Sequence, residues 1–461
     1  MIEQIKSFVL IILVGLSLIL TYQLWYGQQP AELIAEDVYE RIVVEKPRPL
    51  EEAITPIRIS VAVEEGLYLL KPGEKEFDHT WQTMSELLIN LGEGSILDYN
   101  PITEGASHCL TVYFKPPLPT GGELPWLPGG PYLNITEIEL ICLEESKWLI
   151  LKDAGETTVR VMHLEAVKAE RLNELVLSIA AQDRTLFTAK TAEELSEFLE
   201  RDLQVRTPVY LPLEPELNNR ITLTPESIDR DLLLKTFFVD YNLARVIEER
   251  DGGLIYTDGE KGLRLTDLSL EYSYPRLEEG QTSATYREAL TNSSALLSYH
   301  GGWPSGLRLQ ELSYIARGDR SYYISEWVMY HQGKPIYTKK PTRALFNDLG
   351  LFDYTRSLYN VEPGMNEEGS IPDGESEIPD NDQQAPVADG VEALQKAVSA
   401  FDANLPGTRT KLRLEAINLG YAVTGTPAEP YGVLVWFVQL NGERFLIKAD
   451  DMSLINEEDL L

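Results

Sequence analysis

The sequence predicts an α+β protein in which one apolar N-terminal helix precedes a multidomain region of antiparallel sheets and packed helices. Three observations lead to this fold class. Residues 7–26 carry no charge, β-rich runs alternate with amphipathic helical patterns from residue 57 onward, and a helix-then-hairpin pattern occurs twice in the last third. A chain of 461 residues exceeds a single core, so we expect two to four domains.

The first element is a predicted transmembrane helix over residues 7–26. As a helix its 20 residues cover about 30 Å, the thickness of the hydrocarbon core, and twelve of them are Leu, Ile, Val or Phe. Trp25 and Tyr26 lie at its end as membrane-interface anchors. No small-x-small pair suited to a signal peptidase follows, so a retained anchor is favoured over a cleaved signal or a buried core helix.

The flanking charges predict the orientation of this helix. Lys6 and the α-amino group precede it, whereas four acidic residues follow it before Arg41. The positive-inside rule then places the N-terminus in the cytoplasm and the bulk of the chain outside, as a single-pass protein of the cell membrane.

The next elements alternate between strands and helices. Residues 79–92 place Trp81, Met84 and Leu88 on one helical face, together with Leu91. A helix is predicted near residue 226, with Thr224 as its N-cap and Pro225 at its first position. Residues 244–275 read as a β-meander because two Asp-Gly pairs separate the apolar runs.

Residues 361–390 predict an acidic disordered linker. They contain nine acidic residues and four prolines but no base and no aromatic residue, so they cannot bury enough apolar surface to offset ordering entropy. The predicted organisation has six parts: a cytoplasmic start (1–6), the anchor (7–26), an N-terminal α/β domain (30–185), a central α+β domain (186–357), the linker (361–390) and a C-terminal α+β unit (391–461).

An internal repeat relates the central domain to the C-terminal unit. Residues 285–340 and 391–461 each contain Glu-Ala-Leu in a helix, then Leu-Arg-Leu in a strand, then a hairpin that starts at Trp327 or Trp436. Each unit is expected to be a helix packed across an antiparallel sheet. In the second unit, Val391, Leu394 and Phe401, with Val398, form the apolar helix face.

Composition narrows the function classes. The net charge of −33 argues against nucleic acid and against docking on anionic lipid. Cys109 and Cys142 lie in two β-like runs; they are either bridged, if those strands are neighbours, or two buried free thiols. The oligomeric state is left open.

Several motifs together resemble the YycH family. These are the apolar segment ending in "LTYQLWY", then "GLIYTDGEKGLRL…LEYSYP" and "HGGWPSGLRLQELSY". The resemblance implies a regulator of the YycFG (WalRK) two-component system of Firmicutes, which acts in cell-wall homeostasis. It implies two partners, a YycG/WalK-like sensor histidine kinase and a YycI-like membrane protein. The repeat units are also similar to PepSY and YycI modules.

No catalytic motif is recognisable. The five histidines have no metal-ligand spacing, His108 and Cys109 alternate across a strand, and "HGGW" at 300–303 lacks a GxSxG partner, so we read it as a turn. We therefore predict no enzyme, no cofactor and no metal. The alternatives are a module of the envelope that binds polymers or ligands through Trp126, Trp303 or Trp327, and an envelope hydrolase.

The sequence offers one candidate partner-binding site within the span. Val14, Ser17 and Thr21 share a helical face, with Gly15 beside it, and small or hydroxyl residues allow close helix packing in lipid. The plainer interpretation is that the hydroxyls bond their own backbone carbonyls. The sharper hypothesis is that this face docks against the spans of the kinase and the YycI-like protein. The sign of the regulation, the signal and the contact surface on the kinase do not follow from the sequence.

Overall fold

The structure, a computed structural model, describes most of the chain beyond residue 43. The described residues are 13–14, 16–17, 44–63, 66–89, 96–97, 107–121, 126, 132–142, 147–155, 159–163, 166–182, 184–205, 209–214, 220–250, 252–361, 389–404 and 411–461. None of the helices in these ranges is both long and apolar enough to cross a membrane. The predicted span at 7–26 lies outside them except for Leu13, Val14, Leu16 and Ser17, which are helical. Most of the predicted linker, residues 362–388, also lies outside.

Residues Val44–Leu461 form one compact unit. Its α-helices are α1 Leu50–Ala53, α2 Lys75–Ile89, α3 Ala166–Ala180, α4 Ala192–Leu199, α5 Arg230–Phe237, α6 Tyr286–Tyr299 and α7 Gly390–Asn404. Its strands are β1 Arg58–Val63, β2 Gly66–Leu70, β3 Ile96–Leu97, β4 Ser107–Pro119, β5 Asn134–Cys142, β6 Lys147–Asp153, β7 Val159–His163, β8 Leu186–Lys190, β9 Leu203–Val205, β10 Val209–Pro212, β11 Arg220–Pro225, β12 Arg245–Glu248, β13 Leu254–Thr257, β14 Gly262–Leu265, β15 Ser269–Ser273, β16 Leu307–Arg317, β17 Arg320–His331, β18 Lys334–Tyr337, β19 Thr342–Asn347, β20 Gly350–Ser357, β21 Tyr359–Val361, β22 Leu412–Thr426, β23 Glu429–Leu440, β24 Glu443–Lys448 and β25 Leu454–Ile455.

The first sheet has nine strands in the order β10-β8-β2-β1-β4-β5-β6-β7-β3. Alternate side chains of a strand point to opposite faces, so Ile59 and Val61 of β1 lie in the core under α2 and α3. The predicted face of α2 is confirmed for Trp81, Met84 and Leu88, which are all buried. Leu91 lies outside the described residues.

The second sheet has sixteen strands, and a path of twelve runs β12-β13-β14-β15-β20-β19-β17-β18-β22-β23-β11-β21. The strands β12 to β15 are the predicted meander, and Gly252 and Gly259 adopt the positive φ angles that its turns require. The helices α5 and α6 belong to the same core as the first sheet, whereas α4 and α7 cover β22 to β24 with a second core. The mixed α+β class with antiparallel sheets is confirmed.

The two repeats share a geometry that extends beyond their sequence similarity. Each consists of a helix followed by a long antiparallel hairpin, β16–β17 or β22–β23. The register shifts directly after Leu309 in one hairpin and after Leu414 in the other. Trp327 and Trp436 are each 1% exposed. Each tryptophan lies within the second strand of its hairpin: Trp327 shares a core with α6, and the ring of Trp436 lies against the start of α7 at Gly390.

Strand pairing joins the C-terminal segment to the rest of the second sheet. The strand β22 pairs in parallel with β18 and β9, and β23 pairs with β11. Residues 203–205 and 220–225 therefore lie in the same sheet as residues 412–440. The predicted domain boundaries stay predictions. Neither the boundary near 186 nor the one near 391 separates two sheets, because β8 and β10 belong to the first sheet, and β9 and β11 share the second sheet with β22 and β23.

One predicted helix start is wrong. Thr224 and Pro225 belong to strand β11, where they pair with Asn360 and Tyr359 of β21. The helix α5 begins at Arg230 instead, and its N-cap is Asp229, whose carboxylate accepts from the Leu232 amide at 3.1 Å. Long-range strand pairing has overridden the local Thr-Pro capping signal.

The strands that hold the two cysteines are antiparallel neighbours, β4 and β5. Cys142 is opposite Ser107, and Cys109 falls within the register shift between His108 and Leu110. The cysteine side chains lie outside what the structure describes, so both alternatives for their state stay predictions.

Candidate binding cleft

A cleft of about 800 Å³ lies between the two sheets of the compact unit. One wall comes from β1, β4 and β10 of the first sheet. The other wall comes from β16, β17, β18, β22 and β23 of the second sheet. Its size lies within the range of ordinary ligand sites.

Arg58, at the start of β1, is the most unusual group on the first wall. Strand pairing places it directly opposite Tyr113 of β4, and the ring of Tyr210 of β10 also contacts its guanidinium. Its Cζ lies 4.1 Å from the Tyr113 ring centroid and 4.3 Å from the Tyr210 ring centroid. Both distances are within the range of cation–π attraction, so the guanidinium contacts both rings.

The two tyrosines are also joined to each other. Their hydroxyl oxygens are 3.1 Å apart and share a hydrogen bond. Burial raises the pKa of Tyr113, and its hydrogen bond with Tyr210 raises it further, so Tyr113 stays protonated at neutral pH although Arg58 acts in the opposite direction. Tyr113 is therefore neutral, and its hydroxyl does not cancel the charge of Arg58.

Arg58 has no carboxylate partner among the described residues. Its Nε is buried without a hydrogen-bond partner. A buried arginine donor without an acceptor is costly and calls for an explanation such as a ligand. The Arg58 side chain as a whole is half-buried and lines the cleft.

The carboxylates of the cleft are mostly neutralised by other cations. Glu311 pairs with Lys115 at 3.0 Å across the two sheets, Glu137 pairs with Lys152 at 2.9 Å, and Glu415 pairs with Arg413. Burial raises the pKa of Glu311, but Lys115 outweighs this by attraction and hydrogen bonding, so the net pKa is lowered. Glu326 is the fourth carboxylate in the lining, against five cationic side chains. In a chain of net charge −33, the cleft is locally cationic.

The second wall includes the edge of β22 that faces β9 and β18. The strand β22 pairs with β9 at residues 412–414 and with β18 at residues 421–422. Between them, at residues 415–420, no strand of the described residues pairs with β22 on that side.

A second polar cluster lies away from the cleft and is structural. Arg356 of β20 is fully buried and donates to Glu226 Oε1 at 2.7 Å and to the Gly302 carbonyl at 3.0 Å. This holds the "HGGW" segment, which is the turn between α6 and β16, as predicted from the sequence; Gly301 and Gly302 there have positive φ. His300 stacks on Phe237 at 4.4 Å between ring centroids.

The tryptophans predicted as ligand platforms do not present free faces. Trp126 and Trp327 are 0% and 1% exposed, so they pack in the core and the platform hypothesis is wrong for both. Trp303 is partly buried; its indole nitrogen donates to Ser298 Oγ at 3.0 Å, and Arg48 covers its ring at 4.9 Å. In the described ranges no three His, Cys, Asp or Glu side chains are grouped to hold a metal ion.

The predicted transmembrane site is only partly described. Val14 and Ser17 are both helical and exposed. Thr21, Trp25 and Tyr26 lie outside the described residues. The shared face of Val14, Ser17 and Thr21 and the interface role of Trp25 and Tyr26 therefore stay predictions.

Sequence reasoning missed the Arg58 cluster. Alternation along β1 places Ile59 and Val61 in the core and Arg58 on the opposite face, but nothing local marks its partners. Tyr210 lies 97 residues from Tyr113 along the chain, and only the pairing of β10, β8, β2, β1 and β4 brings the two together.

The comparisons with known proteins agree with this architecture. Residues 3–92 match the family described as YycH protein, N-terminal domain. The crystal structure of YycH from Bacillus subtilis matches with a TM-score of 0.53 and 14% identity, over 88% of this chain and 98% of that one. The Bacillus megaterium YpeB C-terminal domain matches with a TM-score of 0.26 and 13% identity, over 50% of this chain and 97% of that one. No curated protein matches the chain. Residues 3–92 thus match the YycH N-terminal domain, and the fold over most of the chain is similar to that of the Bacillus subtilis YycH structure.

Proposed function

We propose that the chain is a membrane-anchored, extracytoplasmic regulator of a YycFG-type two-component system. It binds a YycG/WalK-like sensor histidine kinase together with a YycI-like membrane protein, and this contact modulates the kinase. The observation that carries the proposal is the family match over residues 3–92, because this range contains both the apolar segment and the first strands of the outer region.

The anchor supplies the first part of the proposed mechanism. Helices in lipid associate through close packing and interhelical hydrogen bonds, because lipid tails are as apolar as leucine. The face of Val14, Ser17 and Thr21 would meet the spans of the kinase and of the YycI-like protein. The outer domains would then set the geometry of that bundle.

The thermodynamics limit what such a contact can do. A regulator shifts a two-state kinase only by binding its two states with different affinities. A preference of about 1.4 kcal/mol shifts the equilibrium about tenfold, which is sufficient for signalling control. The proposal therefore needs no enzymatic step.

Co-purification from membranes tests the proposal. A tagged full-length chain should retain the kinase, and Ser17→Leu/Thr21→Leu should weaken retention while keeping membrane insertion, because both changes raise hydrophobicity. Ser7→Leu is a matched control near the start of the span. Equal retention by the double variant, with loss of retention when the outer domains are deleted, would place the contact outside the membrane. No retention by the parent chain would reject the proposal.

The second candidate is a module of the envelope that binds a polymer or ligand without contacting a kinase. The location of Arg58 in the cleft favours this candidate, since a guanidinium group can bind an anionic ligand. Binding of purified wall fragments by a chain that does not retain the kinase would support it over the first.

A further inference from the structure

We propose that two copies of the chain associate through strand β12, at the edge of the second sheet. The two β12 strands run antiparallel across a twofold axis and join the two sheets into one. Arg245 of each copy lies opposite Glu249 of the other, and Ile247 lies opposite its own counterpart. The inference goes beyond the proposed function, because it concerns a contact of the chain with itself and needs no kinase.

The first support is the exposed apolar surface at this edge. Strand β12 stands first on the path of the second sheet, and within the described residues it pairs only with β13. Val246 and Ile247, its two central residues, lie on opposite faces of the strand and are 57% and 52% exposed. Val239 and Leu243, in the segment that leads into the strand, are 62% and 74% exposed. Apolar side chains grouped on an edge strand in this way indicate an interaction site.

The second support is the direction of the backbone groups. The Glu249 amide donates to the Gly253 carbonyl at 2.8 Å, so Glu249 directs its hydrogen-bonding groups toward β13. Because this direction alternates along an antiparallel strand, Val246 and Glu248 direct theirs away from β13. If Val246 pairs with Glu248 of a second copy, and the reverse, each pair exchanges both of its N–H···O bonds. All outward groups of the two residues are then satisfied.

The third support identifies the partner as a second copy and sets the register. With Val246 opposite Glu248, the strand sequence is self-complementary, since Arg245 lies opposite Glu249 at both ends of the contact and Ile247 lies on the twofold axis. Opposite side chains share one face and are about 4.5–5.5 Å apart, so the opposite charges attract. A shift of two residues in one direction would place Arg245 opposite Ile247. A shift in the other direction would place Glu248 opposite its own counterpart, which is repulsive.

The charges of the neighbouring strands favour the same register. Glu249 contacts Arg264 of β14 at 2.5 Å, and Arg264 contacts Glu271 of β15 at 2.9 Å. Glu271 in turn contacts Lys340 at 2.5 Å. The sign of the charge alternates along this row, and Arg245 of a second copy would add the next cation beside Glu249. Strand β12 itself contains one arginine and one glutamate, so two copies meet at a neutral segment of a chain whose net charge is −33.

Disulfide crosslinking of the full-length chain in detergent tests the contact. Ile247→Cys should give a covalent dimer on oxidation, because a non-hydrogen-bonded pair places the two Cα atoms about 4.5 Å apart. Ile255→Cys is the matched control, since Ile255 lies opposite Ile247 on β13. Three strand spacings of about 4.8 Å separate it from its own counterpart, which is too far for a disulfide. The parent chain, with Cys109 and Cys142, gives the background. Equal crosslinking of the two variants, or none at Ile247→Cys, would overturn the proposal.

A mixture of two differently tagged variants tests the register. Arg245→Cys and Glu249→Cys should crosslink to each other, because these positions lie opposite across the axis. Neither variant alone should crosslink, since each cysteine is four residues, or about 13 Å, from its own counterpart. Crosslinking of either variant to itself, or none in the mixture, would contradict the assigned pairs.

Sedimentation equilibrium of the same protein measures the effect on association. Ile247→Lys should raise the dimer dissociation constant about tenfold or more, because two like charges then face each other on the axis. Val246→Pro should also weaken the dimer while keeping the fold, since proline is tolerated where an edge N–H faces outward. Leu349→Lys is the matched control, because Leu349 is 61% exposed in the turn between β19 and β20.

The two disrupting variants complement each other. If Ile247→Lys does not fold, Val246→Pro and the crosslinks still decide the question. A parent chain that stays monomeric at every concentration would reject the proposal, and so would a dissociation constant that neither variant changes. These assays contain no kinase, so their outcome is independent of kinase retention.

Discussion

Replacing Arg356 with methionine should destabilise the compact unit strongly. The side chain is fully buried, donates to Glu226 at 2.7 Å and to the carbonyl of Gly302 at 3.0 Å, and so ties β20 to the turn after α6. Arg356→Met leaves a largely buried carboxylate and a buried carbonyl without a donor. Breaking a buried ion pair in this way costs about 3–5 kcal/mol. At about 2.1 cal/mol/K per residue over roughly 420 residues, this is a decrease in Tm of about 3–6 °C.

The assay is thermal unfolding followed by calorimetry, with Arg276→Met as the matched control. Arg276 forms an exposed ion pair with Glu260 at 3.4 Å, so its loss should change stability by less than about 1 kcal/mol. The double variant Glu226→Leu/Arg356→Met should recover most of the loss, because neither charge then stays buried alone. Equal effects of Arg356→Met and Arg276→Met would refute the reasoning.

Three further predictions concern Gly390 at the start of α7, the carboxylate of Glu271 and the predicted linker. Gly390→Ala should destabilise the C-terminal core by about 1–3 kcal/mol, measured by urea unfolding, because a Cβ there would lie 2.9 Å from the buried Trp436 ring; an unchanged midpoint would contradict this packing. Burial raises the pKa of Glu271, but Lys340 and Arg264 outweigh it, so the folded pKa is below 4.5. Its stabilisation is present above pH 4.5 and is lost as the pH falls through the folded value, so the stability difference between the parent and Glu271→Gln should shrink toward pH 3. Limited proteolysis should cut first within residues 361–390, and resistance there while the domains are cut would contradict the linker assignment.

The local features of the fold follow well from the sequence. Turn signals such as Asp258-Gly259 and the helical spacing of Leu394 and Phe401 depend on neighbours a few residues away, and the structure has both features. The repeat was also predictable, because Leu-Arg-Leu and the hairpin tryptophans recur in the same order. Their equivalent register shifts, after Leu309 and Leu414, were not marked in the sequence.

The features that depend on distant pairing were not predictable. Thr224 has a local capping signal but lies in a strand, because β21 pairs with it from residue 360. The contacts of Arg58 with Tyr113 and Tyr210 need three strands that are separate along the chain. The parallel pairing of β22 with β9 and β18 likewise joins segments that are far apart in the sequence.

Kinase activity in reconstituted membranes tests the central claim most directly. The YycG/WalK-like kinase is placed in vesicles with the YycI-like protein, with or without this chain, and its autophosphorylation rate is measured. The account predicts that adding the chain changes the rate severalfold, and that Ser17→Leu/Thr21→Leu reduces the change. An identical rate with and without the chain, at full incorporation of all three proteins, would contradict the account.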